Sequence, residues 1–299
     1  MFDIVIPAQN EEKSILATLT TALRLPLKRI IVVINGCSDQ TLELTRSIPD
    51  PHLHILYFEE ALGIDIPRAI GAIYAKSLGT EGVLFLDGDM SGNIYTNLEQ
   101  LVAALEAGVD VALTNCYPYI THRAKLANLV LKFRARLNRE LDLLKTLGLA
   151  TPTHGPHGLS VRALSILEPE SLAIPPLSLA QAKRANLAIK VATSIPHEAL
   201  HSPRKHRRHA RLLSETIMGD CVMAIQSAQG LPLERALGKH SLLGYHPARR
   251  FDRLGTWQAA CQERGTEYRS HVIYGELVLQ KQNIGTSGGD STLPEVKIK

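Results

Sequence analysis

Short apolar runs alternate along the first third of the chain with longer segments whose apolar residues recur at helical spacing. Ile4, Val5 and Ile6 predict a first strand, residues 29–34 a second and residues 54–58 a third. Between them the pattern predicts a helix over about 11–24, with Asn10 as its N-cap and Ile15, Leu16, Leu19 and Leu23 on its apolar face. A shorter helix follows the turn Asn35 to Asp39 and runs to Arg46. From Ile66 onward, Ile70, Ile73, Tyr74 and Ser77 share helical spacing. The next strand is VLFLDGDM at 83–90, an apolar run ending in Asp87-Gly88-Asp89. This alternation predicts a Rossmann-type α/β fold: a mostly parallel central sheet flanked by helices and built by right-handed crossovers. Pro7 to Asn10, Asn35 to Asp39 and Asp87 to Asp89 then share one sheet edge, where open α/β sheets bind ligands.

Further along, the spacing predicts a strand over 108–114, a long helix over about 121–147, a helix over about 178–186, a strand over 188–195 and a helix over 212–229. THGPHG at 153–158 predicts a tight loop presenting His154 and His157 before a further helix or strand. The basic stretch RKHRRHAR at 204–211, with Arg204 and Lys205 at its start, has two readings. It is either a solvated loop or a cationic clamp over a leaving diphosphate, stabilising charge as it develops. The expected organisation is an α/β half at 1–115, a second half at 116–230 that ends in the basic stretch and its helix, a helical extension at 231–284 and a disordered Gly/Ser-rich tail at 285–299.

Composition narrows the function classes. Hydrophobic residues at 45% and charged residues at 21% of the 299 are ordinary for a globular chain. A net charge of +4 with a pI near 8.8 gives no general field for nucleic acid. Four scattered cysteines form no CxxC pair, which predicts neither a disulfide framework nor a zinc site and suits a reducing cytoplasm. No apolar run reaches the roughly 18 residues of a membrane span. The expectation is a cytoplasmic protein, at most peripheral to the inner face of a membrane.

The chemistry centres on Asp87 and Asp89. Two carboxylates so close repel unless a cation lies between them, and oxygen-only ligands suit Mg²⁺ or Mn²⁺, which can in turn hold a diphosphate. Arg68, near a helix start, reads either as a guanidinium directed at phosphate or as a solvated charge. Loop histidines such as His154 and His157 are more often exposed or structural than substrate-binding.

Together, IVIPAQNEE at 4–12, VVINGCSDQT at 32–41, GIDIPRAIGAIYA at 63–75 and FLDGDM at 85–90 resemble the family 2 glycosyltransferases of the GT-A fold in order and spacing. The resemblance implies transfer of a sugar from a nucleotide-diphospho-sugar, UDP- or GDP-linked, to a sugar, lipid or small-molecule acceptor. It implies that Pro7, Ala8, Asn10 and Glu12 line the nucleotide pocket, with Asn35 and Asp39 near the base or ribose. Arg68 would lie near the diphosphate, and Asp87, Gly88 and Asp89 would form the D-x-D segment that holds metal and donor. It further implies a metal-ligating histidine after the last core strand, with His197 and His201 as candidates. The chain departs from the family twice. Asn35 stands where many members have an acid, and residues 172–191 lack the family's Glu-Asp pair, which leaves His154, His157 or a residue from the acceptor side as catalytic base, or a retaining mechanism that needs none. Inverting and retaining chemistry both remain open. Two alternatives share this reading of the fold: a non-catalytic nucleotide-sugar-binding protein, and a nucleotidyltransferase, against which the acidic, glycine-free loop PAQNEE argues.

Overall fold

A computed structural model describes residues 1–119, 124–203, 206–264 and 272–274. The first strands, β1 (Asp3–Ala8), β2 (Arg29–Asn35) and β3 (Leu53–Phe58), are joined by the helices α1 (Ile15–Ala22) and α2 (Thr41–Arg46). Helix α3 (Ile66–Ser77) leads into β4 (Gly82–Phe85), and α4 (Tyr95–Glu106) into β5 (Val111–Asn115). There follow α5 (Lys125–Glu140), α6 (Leu144–Leu147), β6 (His157–Ser160), α7 (Val161–Ile166), α8 (Pro169–Leu172), α9 (Pro175–Arg184), β7 (Ile189–Ser194) and α10 (Arg207–Ala228). A small hairpin, β8 (Ala236–Leu237) and β9 (His240–Ser241), precedes α11 (Phe251–Arg264) and the edge strand β10 (Val272–Tyr274). Among the described residues the main sheet runs β10-β3-β2-β1-β4-β6-β5-β7. Every pairing in it is parallel except those of β6, which runs antiparallel to both β4 and β5.

Strand alternation supplies two cores. Val5, Ile31, Val33, Val83 and Phe85 face one side of the sheet and Ile4, Ile6, Val32, Ile34 and Leu84 the other, all buried. Gly71 lets α3 lie close on the first face, since a Cβ there would come within 2.4 Å of Val5 Cγ1. Helix α11 closes that face through Trp257, which is fully buried, donates from Nε1 to the Ile70 carbonyl at 3.2 Å, and meets the Phe58 ring edge-on at 5.5 Å.

Several expectations needed correction. Asn10 does not cap α1: it adopts a left-handed φ of 58°, and its Oδ1 accepts from Ser38 N at 2.8 Å. A turn closed by Ser14 N and Ile15 N on the Glu11 carbonyl delays the helix to Ile15. The long helix over about 121–147 is two: the chain turns at Asp142 with φ 54°, and Asn138 Nδ2 folds it back by donating to the carbonyls of Gly148 at 2.8 Å and Ala150 at 3.0 Å. Residues 120–123 lie outside the described residues. Helix α9 starts earlier than its apolar spacing suggests, because prolines fit a first turn whose N–H groups have no partner. Residues 207–211 of the basic stretch are helical rather than loop, since His206 caps α10 by accepting from His209 N at 3.2 Å. Helix α4 falls in a segment for which the sequence pattern raised no expectation. The extension is helical in α11 but also carries the hairpin, and the tail 285–299 lies outside the described residues.

Replacing Trp257 with Ala removes an aromatic side chain from the seam between α11, α3 and the sheet. A loss of about 3–5 kcal/mol is expected, measured as a lower urea midpoint with an unchanged slope.

Candidate functional site

The parallel strands of the main sheet, together with the start of antiparallel β6, deliver their loops to one edge. Phe85, the last residue of β4, pairs with His157, the first of β6, so the Asp-Gly-Asp turn and the 153–157 loop lie side by side. Gly88 N donates to the Pro7 carbonyl at 3.0 Å, which fixes that turn against the end of β1. A Cβ on Gly88 would sit 3.1 Å from the same carbonyl, so a small residue suits the approach. Thr18 of α1 supports the turn from below, its hydroxyl lying 3.1 Å from the Gly88 carbonyl and 3.3 Å from that of Met90.

Beside that turn the loops after β1 and β2 are laced reciprocally. Asp39 Oδ2 accepts from Glu12 N at 3.1 Å, and Glu12 Oε2 accepts from Gln40 N at 3.3 Å. Partial burial would raise the Asp39 pKa, but hydrogen bonds from Thr41 and Glu12 outweigh it and hold the carboxyl below its usual value. Asn35 is buried, with Oδ1 accepting from Leu62 N at 2.6 Å and Nδ2 donating to the Gly63 carbonyl at 3.5 Å. Its amide thereby holds the loop that leads to α3. Pro7 and Ala8 line the same corner, half-buried and buried respectively.

Arg68 lies on the first turn of α3 and forms ion pairs with both Asp65 and Asp87. Burial would lower its pKa, but Asp87 and Asp65 more than offset that and raise it. Asp65 also receives Arg249 at 2.9 Å, and Arg249 bridges on to the buried Asp220 at 2.8 Å. Arg235 completes the series on Asp220. Burial pushes the Asp65 carboxyl up against the pull of Arg68 and Arg249. Sequence reasoning missed Asp65, Asp220, Arg235 and Arg249, because lone charged residues scattered over some 180 positions carry no periodic signal.

On the other side, His154 and His197 meet, Nε2 to Nδ1 at 3.1 Å, and the Tyr117 ring lies 5.4 Å from His154. His197 begins a short 3₁₀ turn, His197–Leu200, that docks beside the Asp-Gly-Asp loop through Gly92 N donating to the Leu200 carbonyl at 3.1 Å. His201 is exposed, beyond that turn. His157 is buried and stacked on Phe85 at 4.8 Å, and its pKa is pushed down to about 3 by burial and then by Arg68. Arg204 and Lys205 lie outside the described residues.

Asp87 and Asp89 are both half-buried at the crevice. Carboxylate oxygens are the ligand type that Mg²⁺ or Mn²⁺ takes, and the Asp87 carboxylate is already paired with the Arg68 guanidinium. Among the described residues no group of three or more His, Cys, Asp or Glu side chains is arranged to hold a metal.

The sequence profile of glycosyl transferase family 2 matches residues 3–165, more than half of the chain. The chain belongs to glycosyl transferase family 2. That match spans the nucleotide-side loops, Arg68, the Asp-Gly-Asp turn and the 153–157 loop, and membership makes the protein a glycosyltransferase. No curated protein matches the sequence significantly. Among solved structures, the fold is similar to glucosyl-3-phosphoglycerate synthase from Mycobacterium tuberculosis. Its UDP complex superposes with a TM-score of 0.57 at 17% identity, covering 78% of this chain and 81% of the other. Its complex with Mn²⁺, UDP-glucose and phosphoglyceric acid gives 0.55 at 16%, covering 81% and 86%. At such identity the likeness speaks for the fold, and this family 2 member shares its layered α/β core. Among the described residues no helix is long and apolar enough to cross a membrane.

Replacing Arg249 with Met leaves Asp65 without one of its two cations and weakens the hold on buried Asp220. A destabilisation of about 3–5 kcal/mol is expected by chemical denaturation. His157 gives a pH signature. Its folded pKa, about 3, lies below the unfolded 6.5, so the unfolded chain takes up the extra proton between them. Stability present above pH 6.5 is therefore lost as pH falls toward 3. Comparing H157Q with the wild type at each pH should remove a slope of up to about 1.4 kcal/mol per pH unit in that window; parallel curves would contradict it.

Proposed function

We propose that the protein is a metal-dependent glycosyltransferase that takes its sugar from a nucleotide-diphospho-sugar. The observation that carries this is the placement of Asp87 and Asp89 at the end of β4, on the edge that also bears the laced loops Pro7 to Glu12 and Asn35 to Asp39, with Arg68 between them and α3. Asp87-Gly88-Asp89 acts as the D-x-D segment. Mg²⁺ or Mn²⁺ held there would supply Lewis-acid neutralisation of the departing diphosphate. Arg68 adds a fixed positive charge on the same side, and its buried Nε has no partner among the described residues. Pro7, Ala8, Asn10, Glu12 and Asp39 shape the nucleoside side, and Asn35 acts there through the backbone of Leu62 and Gly63.

Of the two histidines considered as bases, His154 is the better suited. It is half-buried beside His197, whereas His157 is enclosed and its basicity is strongly depressed. His197 stands next to the Asp-Gly-Asp loop, and His201 stands farther out in solvent. The likeness to an enzyme crystallised with UDP and UDP-glucose makes UDP the first nucleotide to try, with GDP beside it.

The test is a thermal-shift panel of UDP, GDP, CDP and dTDP with and without Mn²⁺, followed by nucleotide release from the matching sugar donor. A metal-dependent rise with one nucleotide is expected, since a ligand of the native state raises apparent stability. D87N and D89N should each abolish that metal dependence and lower turnover at least about a hundredfold, equivalent to about 2.7 kcal/mol. Full metal-dependent turnover in either variant would overturn the assignment.

A further inference from the structure

Arg134 is the buried arginine that receives no ion pair among the described residues. Arg29 is matched by Asp3, Arg235 by Asp220 and two carbonyls, and Arg249 by Asp65 and Asp220. Arg134, on the inner face of α5, is 2% exposed, yet no described carboxylate or carbonyl receives it and its Nε is enclosed without an acceptor. Its contact is the Tyr117 ring, 5.4 Å from the guanidinium carbon. A cation–π contact of this kind offsets only part of the cost of enclosing an unpaired ion. Nor do the neighbouring groups supply a counter-charge. Burial pushes the thiols of Cys116 and Cys221 up to about 12 and raises the Tyr117 phenol, so all three are neutral at physiological pH.

The location gives that charge a purpose. Tyr117 follows β5 at the catalytic edge, its turn fixed by Tyr117 N donating to Asn115 Oδ1 at 2.9 Å. With His154 and His197, all three half-buried, it forms the wall across the crevice from the nucleotide loops, and Arg134 stands directly behind that wall. Helices α5 and α10 run parallel, because Glu140 meets Gln229 at their C-terminal ends while Val130 packs with Met218 and Val222. Their N-terminal turns therefore point the same way and bring exposed Lys125, Arg207 and Arg208 to one end. A helix N-terminus already carries positive potential, so cations gathered there strengthen an attraction for anions.

We propose that Arg134, with Tyr117 and His154, forms an acceptor-side subsite for an anionic group, a carboxylate or a phosphate, so that the acceptor is a small hydroxylated acid or phosphate ester rather than a neutral sugar. The guanidinium presents a planar fork suited to either anion. This rests on the glycosyltransferase reading above and names the acceptor class for the same crevice.

The experiment is calorimetric titration of the full chain with phosphoglyceric acid, glyceric acid and glycerol, with UDP and GDP plus Mn²⁺ titrated separately. One or both acids should bind, phosphoglyceric acid alone marking a phosphate site, and glycerol should not. In R134M the affinity for the bound acid should fall at least tenfold while nucleotide binding is unchanged. R134M should also melt higher than the wild type without ligand, because the unpaired buried charge is gone. R134K keeps the charge without the fork, so a smaller loss is expected, and it serves if R134M does not fold. Acid affinity unchanged in the variant that folds, or glycerol binding as tightly as the acids, would overturn the proposal. Nucleotide binding without acid binding in the wild type would overturn it while sparing the glycosyltransferase reading, and loss of nucleotide binding alone would do the reverse.

Discussion

Alternating aspartates and arginines tie the crevice to the body of the protein: Asp87, Arg68, Asp65, Arg249, Asp220 and Arg235 are each paired with the next. The series starts on the turn after β4, crosses the first turn of α3, and ends between α10 and the segment that follows it. Most of its members are buried or nearly so, and removing any one would take an opposite charge away from each of its neighbours in a poorly polarisable interior. The reach of Arg68 toward Asp87 is thus fixed from behind, by residues more than 150 positions away in sequence. Arg250 N donating to the Leu62 carbonyl at 2.9 Å, and Arg249 Nε to that of Ile64 at 3.3 Å, clamp the backbone of the same loop.

The loops after β1 and β2 are fixed for a second reason. Its loops exchange side-chain and backbone bonds in both directions, Asn10 with Ser38 and Glu12 with the Asp39–Gln40 turn, so neither loop moves without breaking several hydrogen bonds. Thr18 and the Pro7 carbonyl hold the Asp-Gly-Asp turn to the same frame. A site that must present two carboxylates at close range benefits from such fixing, because the geometry is set before any ligand arrives.

The sequence made the strands of the first half legible because each is a continuous apolar run buried on both faces, and period and length distinguish such runs from amphipathic helices. Helix starts were less legible. Asn10 has the chemistry of a cap, but its side chain is taken by a loop 28 residues away, a tertiary choice that local propensity cannot contain. The break at Asp142 was hidden for the same reason: Leu141 and Leu144 continue the helical spacing, and the turn depends on Asn138 reaching across it. At the site, Asp87, Asp89 and Arg68 stood out through their position after a strand or at a helix start. The charges behind them did not, since pairing across the fold leaves no trace in spacing.

The two walls of the crevice are built on different physical terms. Hydrogen bonds and ion pairs bind the loops after β1 and β2 into a network, whereas on the other side of the Asp-Gly-Asp turn ring contacts among Tyr117, His154 and His197 add to the hydrogen bond between the two histidines, backed by Arg134. Ring contacts are weakly directional and each contributes on the order of 1 kcal/mol. Antiparallel β6 reinforces the contrast by bringing the 153–157 loop to the edge as the entrance to a strand rather than its exit. In the proposed reading the laced loops face the donor, and the ring-lined side with a buried cation behind it faces the acceptor.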